Sequence, residues 1–159
     1  MKKIIFVSMF GQLGNQMFIY AFGKMLEKKY GYTVIFETSY YNNSRHKIEI
    51  DEFNLSNFKV NNKLFYVNFK YIKYLQFLNS KLKKILLYFI SNNIKNITFE
   101  KNVDLQNFNL NHNPSYNKNL INKVDSNFLF YGYWQSLNYF KEINEVVYKE
   151  FTLTNSNLK

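Results

Sequence analysis

The sequence contains no cysteine, a single proline (Pro114), a single tryptophan and a single arginine, Arg45. Without cysteine there is neither a disulfide framework nor a thiolate metal site, which fits a reducing compartment. Histidine is almost as scarce: His46 and His112 stand far apart with no carboxylate cluster around either, so no metal centre is expected. Acidic residues are few and uneven, with none from Phe53 to Phe99, and the net charge of +10 rests almost wholly on lysine. Nucleic-acid readers rely on arginine forks for guanine and phosphate, so this surplus argues against a nucleic-acid partner. Asn, Lys, Ile, Phe and Tyr are all abundant, as AT-rich coding would make them. The other reading of the charge is contact with an anionic membrane surface.

Long apolar runs are missing too. Ile85-Leu-Leu-Tyr-Phe-Ile90 is as long as any uncharged apolar block in the sequence, and it stops at Ser91-Asn-Asn93, well short of a spanning helix. The start, Met1-Lys-Lys-Ile-Ile-Phe-Val7, imitates a secretory leader but breaks at Gly11 without a small-x-small cleavage site, so it reads as a strand. What is present is core-forming material: 47% hydrophobic and 20% aromatic residues in 159, enough for one domain over residues 1–159.

The most informative stretch runs from Phe6 to Tyr30. Ile4-Ile-Phe-Val7 is β-branched and aromatic and predicts a buried strand. From Gln16 the apolar residues Met17, Phe18, Ala21, Phe22, Met25 and Leu26 recur at helical steps until Gly31, which predicts a helix with a glycine stop. Gly11 and Gly14 then fall in the turn between strand and helix, with Asn15 as the expected cap. Such a turn offers free N–H groups and the positive end of a helix dipole to a phosphate or another anion. The spacing matches neither a phosphate-loop ATPase nor a complete dinucleotide fingerprint. A plain tight turn is the competing reading.

Thr33-Val-Ile-Phe-Glu37 completes a βαβ pattern, and Glu37 takes the place where an acidic residue reaches a ribose hydroxyl in nucleotide-binding folds; the alternative is a solvated strand-end carboxylate. The following polar loop carries Arg45 and His46, candidate contacts for a polar or anionic ligand, or simply surface residues. Lysines scattered between residues 61 and 95 accompany a helical apolar stripe over 71–90, which either packs into the core or lies on an anionic membrane. Ile97-Thr-Phe-Glu100 predicts a short strand, and residues 102–122 an Asn-rich loop. Phe128-Leu-Phe-Tyr-Gly132 predicts a strand ending at glycine, with Ser136 capping a helix from Leu137 to Phe151.

Gly11-Gln-Leu-Gly-Asn-Gln-Met-Phe18 with Tyr20-Ala-Phe-Gly23 resembles the amino-terminal signature of bacterial α-1,2-fucosyltransferases, glycosyltransferase family 11. Tyr131-Gly-Tyr-Trp-Gln-Ser-Leu-Asn-Tyr-Phe140 is similar to that family's second landmark, and Ile48-Glu-Ile-Asp-Glu-Phe-Asn-Leu55 sits where the family has a comparable stretch. The resemblance implies the Rossmann-like amino-terminal half of a GT-B-like enzyme, with a parallel sheet and flanking helices. It implies metal-free, inverting transfer of L-fucose from GDP-fucose, the donor substrate, to the 2-hydroxyl of a galactose in a surface glycan. It places Gly11, Gly14, Asn15 and Gln16 at the sugar-diphosphate end of the donor and adds Trp134 and Gln135 as candidate contacts. Glu37 stands where the family often has Asp, and Ile19 where it often has Gln.

The family's H-x-R-R-x-D-Y block, whose basic residues bind the diphosphate, does not follow Phe151. The expectation is therefore a truncated half that needs a separately encoded carboxyl-terminal half to transfer fucose, or a non-catalytic product retaining glycan or membrane-surface binding. A free-standing nucleotide-binding module is a third reading, resting only on the βαβ start and Glu37. The expected location is cytoplasmic, peripheral on the inner face of the membrane.

Overall fold

A computed structural model describes residues 3–62, 96–99 and 128–153, together with positions 78, 79, 81, 82 and 85. Most of the lysine-rich stretch over 61–95 and all of the Asn-rich stretch over 102–122 lie outside the described residues. Strand β1 (Ile4–Ser8) leads into helix α1 (Leu13–Tyr30) and then strand β2 (Thr33–Glu37). A two-residue strand β3 (Val60–Asn61) follows, then β4 (Asn96–Phe99), β5 (Phe128–Tyr131) and a short helix α2 (Asn144–Glu150).

Among the described residues the named strands all pair in parallel, in the order β3-β2-β1-β5-β4. Parallel neighbours cannot be joined by a tight hairpin, and α1 supplies the crossover between β1 and β2. The sheet is therefore a parallel α/β sheet of four strands with a two-residue edge, compatible with a Rossmann-like arrangement. Its register sets Ile5 beside Val34 and Phe128, and Val7 beside Phe36 and Phe130. The strands read as continuous apolar runs, as strands buried on both faces should.

Helix α1 packs on the sheet through its Ile19–Leu26 segment, buried throughout. Gly23 permits the close approach, because a Cβ there would lie 2.5 Å from the Phe36 ring. Gly31 ends the helix in a left-handed conformation (φ 68°), as expected from the sequence, and its N–H returns to the Glu27 carbonyl. Trp134 completes this layer: it is fully buried and stacks on Phe22 with ring centroids 4.1 Å apart, edge-on to Phe130 and Tyr139.

Behind the apolar layer lies a buried ionic cluster. Lys24 is 2% exposed, and its Nζ is 3.3 Å from carboxylates of both Glu27 and Glu150 and 2.6 Å from the carbonyl and hydroxyl oxygens of Ser56. Tyr20 donates its hydroxyl to Glu150 at 2.6 Å, and Ser56 donates to the other Glu150 oxygen. A buried cation without such partners would be costly, so the cluster fastens α1, the Ser56 turn and α2 together.

Two expected elements differ. The helix expected over Leu137–Phe151 is divided into 3-10 turns at Leu137–Tyr139 and Lys141–Ile143 before α2 begins, and Ser136 precedes the first turn without a side-chain cap. Phe140 and Val147 are nonetheless buried and Ile143 half-buried, so the apolar spacing gives the inward face but not an unbroken helix. Asn15 is not the cap of α1 either. Gln12 holds that position, and Asn15 is the third helical residue. Among the described residues no helix is long and apolar enough to cross a membrane. Leu82 and Ile85 are exposed.

Candidate functional site

The carboxyl ends of β1, β2 and β5 lie side by side, and the strand order reverses at β1. Ligands of open α/β sheets collect at the carboxyl ends of the strands near such a reversal. The chain leaving β1 buries Met9 and Phe10 and then turns at Gly11, whose φ of +80° a side chain would strain. The Gly11 carbonyl accepts hydrogen bonds from the Gln16 side-chain amide at 3.1 Å and the Tyr41 hydroxyl at 2.9 Å. Gly14 is not part of the turn. It sits in the first turn of α1, exposed, with nothing within 4 Å of where a Cβ would stand.

Gln16 is fully buried and uses its whole hydrogen-bonding capacity. Its Nε2 donates to Gly11 O and to Lys47 O at 2.8 Å; its Oε1 accepts the backbone N–H groups of Glu49 at 2.9 Å and Ile50 at 3.0 Å. With two donors and two acceptors all engaged, the side chain has nothing left for a ligand. Its work is to hold residues 47–50 against the glycine turn. The expectation of a donor contact thus becomes a positioning role, and the cause is tertiary, because three of the four partners lie more than thirty residues away.

That positioning sets Glu49 over the start of α1, where its carboxylate accepts the Leu13 N–H at 3.1 Å. Asn15 N and Gln16 N bond back to Gln12 O. The helix start is therefore not an array of free N–H groups: an internal carboxylate already sits at its positive end. Beside it opens a cleft of about 470 Å³ lined by Gly14, Arg45, His46, Lys47 and Glu49. Arg45 and His46 are exposed in this cleft, close in space to the glycine segment as well as in sequence to Glu49.

On the β5 side, Gln135 Nε2 donates to Asn15 Oδ1 at 3.0 Å across 120 residues of sequence. The intervening feature is Trp134, whose positive φ of 55° turns its indole into the core and leaves Gln135 facing α1. Trp134 therefore supports the site from behind; its burial and its stacking on Phe22 keep it from ligand contact. Glu37 is also withdrawn. It is 2% exposed, accepting from Ser8 Oγ at 3.0 Å and Ser39 N at 2.8 Å, and burial holds its pKa above the usual carboxylate range. Neither a solvated carboxylate nor an exposed ribose ligand describes it.

An aromatic wall completes the region. Phe10 stacks on Tyr131 at 5.0 Å and meets Tyr133 and Tyr40 edge-on. Burial pushes the Tyr133 phenol up to about 12, with Tyr40 adding to the shift, and raises Tyr41 and Tyr131 as well. At neutral pH these phenols keep their protons, so they can donate hydrogen bonds and stack but cannot serve as bases. Among the described residues no group of three or more His, Asp or Glu side chains could hold a metal.

The sequence reading missed Glu49 and Lys47 as site residues. The available signal was slight: Glu49 is the first acid after Glu37, and it stands three residues beyond His46. Compared with known proteins, the chain matches no family model, no curated protein and no solved structure.

Proposed function

We propose that the chain forms one wall of a sugar-nucleotide site and acts as the amino-terminal half of a GT-B-like α-1,2-fucosyltransferase. The observation that carries this reading is the Gln135–Asn15 hydrogen bond. It joins the two segments that resemble the family, Gly11–Phe18 and Tyr131–Phe140, at the carboxyl end of a parallel sheet, although they are far apart in sequence. In the reaction, the 2-hydroxyl oxygen of galactose attacks the anomeric carbon of fucose from the face opposite the diphosphate. The bond to the diphosphate oxygen breaks, GDP leaves with the electron pair, and the hydroxyl proton passes to a base. Charge develops on the leaving diphosphate, and stabilising it calls for several cations in a dry site. Arg45 is the only arginine in the sequence, so no arginine pair is available for the diphosphate, and the chain by itself is expected to bind donor without useful turnover.

Calorimetric titration of the full chain with GDP-fucose, GDP and NAD tests the reading. GDP-fucose is expected to bind, and to bind more weakly in Asn15→Ala or Gln135→Ala. Tighter binding of NAD, or normal fucose transfer by the purified chain, would overturn it.

A further inference from the structure

We infer that residues 47–56 form a strap that ties the docking of α2 to the Glu49 carboxylate at the start of α1, so that releasing α2 uncovers the Leu13 N–H. The device stands whatever ligand the neighbouring cleft takes. At its near end the strap is pinned by Gln16, whose side chain donates to Lys47 O and accepts the N–H groups of Glu49 and Ile50. This pin sets the Glu49 carboxylate on the Leu13 N–H at 3.1 Å. At its far end the strap is pinned to the chain around and just past the end of α2. Asn54 N–H donates to Thr152 O at 2.9 Å, and its side-chain amide reaches Thr152 Oγ1 and Leu153 O, both at 3.2 Å. Phe53 forms an antiparallel bridge with Leu153 and sets its ring edge-on to Phe151. Ser56 closes this end: its hydroxyl donates to Glu150, while its hydroxyl and carbonyl oxygens accept from Lys24.

Between the pins the strap is short and closed by its own hydrogen bonds. Glu52 N–H returns to Glu49 O at 3.3 Å and Phe53 N–H to Ile50 O at 3.2 Å, a 3-10 turn with Ile50 fully buried. A turn braced in this way passes a displacement along the chain instead of absorbing it. Past Ser56 the chain bends at Asn57, left-handed at φ 58°, and only then pairs with β2 as β3. Gln16 and Lys24 stand about 12 Å apart along α1 and share no hydrogen-bond partner among the described residues. Sites so separated ordinarily respond to mutation independently. The strap is the element that makes them depend on each other.

Residue-resolved amide exchange by NMR on the full chain tests the strap. Glu150→Ala should speed exchange at Glu49 and Ile50 about tenfold, the order expected when a hydrogen bond to a charged group no longer opposes local opening, while β1 keeps its protection. The Leu13 amide resonance should move upfield as its carboxylate partner leaves. Asn54→Ala removes only the exposed side-chain bonds to Thr152 and Leu153, and should move the same signals in the same direction by less. Lys29→Ala breaks the Lys29–Glu142 pair, which joins α1 to the segment before α2 without passing through the strap, and should leave all three amides unchanged. Adding Glu150→Ala to Gln16→Ala should give no further increase at Glu49 and Ile50, because the near pin is already gone. Where Glu150→Ala fails to fold, Asn54→Ala decides alone. Wild-type exchange and an unmoved Leu13 resonance in Asn54→Ala, a rise there that extends equally to β1, or fully additive effects in the Gln16–Glu150 double variant would overturn the inference.

Discussion

Two buried polar side chains grip helix α1 about two turns apart, and they do so by opposite means. Gln16, at the open end, is neutral and spends all four hydrogen bonds, three of them on the segment 47–50. Lys24, in the closed middle, is charged and is balanced by two carboxylates, with Ser56 and Tyr20 completing the cluster. A neutral amide can be buried at modest cost and stiffens a loop without drawing ions to it. A charge can be buried only inside a sealed set of counter-charges. The helix thus presents a shaped cleft at one end and a lock to the rest of the chain further along.

Breaking the lock should do the most damage. Lys24→Ala leaves Glu27 and Glu150 without their shared cation, and the loss is expected at about 3–5 kcal/mol in chemical denaturation. The exposed pair Lys29–Glu142, at 2.7 Å, is the matched control: Lys29→Ala should leave the denaturation midpoint unchanged, because water and salt screen such pairs. A Lys24 variant as stable as the Lys29 variant would erase the contrast between buried and exposed charge.

Gln16→Ala comes next. It strands backbone groups of Gly11, Lys47, Glu49 and Ile50, and a loss of about 2 kcal/mol is expected from unsatisfied groups that are only partly re-solvated. Hydrogen exchange should rise first at Glu49 and Ile50 and leave β1 protected. Uniform loss of protection across the sheet would show that Gln16 holds the core rather than the loop.

Glu37 gives the smallest effect and sharpens the comparison, since it is a buried carboxylate held by the Ser8 hydroxyl and the Ser39 N–H. Its raised pKa means that the folded state keeps the proton to higher pH than the unfolded chain does. Its contribution to stability therefore falls as pH climbs from the unfolded value of 4.5 through the folded one. Glu37→Gln should melt at or above the wild-type temperature at neutral pH, with the difference closing as pH falls through 4.5. A difference that widens on acidification would reverse that assignment.

Much of the fold was legible because its signals are local. β-branched and aromatic runs marked β1, β2, β4 and β5, and helical periodicity with Gly31 marked α1 and its end. The site was legible only in part. Gly11 was placed correctly in the turn, and Arg45 and His46 do line a cleft. Asn15 and Gln135 were named separately, with nothing in the sequence to say that they touch. Trp134 and Glu37 were drawn toward a ligand by their position in motif-like stretches. A left-handed backbone at Trp134 and side-chain bonds at Glu37 took both into the interior.

The sequence by itself determined the parallel βαβ start and the location of the glycine turn, because each depends on residues adjacent in the chain. Only the tertiary structure decided what that turn can bind. Gln16 and Glu49 meet across more than thirty residues and Asn15 and Gln135 across 120, and burial removed Gln16, Glu37 and Trp134 from the surface. Side-chain hydrogen bonds formed over such distances leave no periodic trace in a sequence, and here they set the Glu49 carboxylate at the helix start that was read as either an anion site or a plain tight turn.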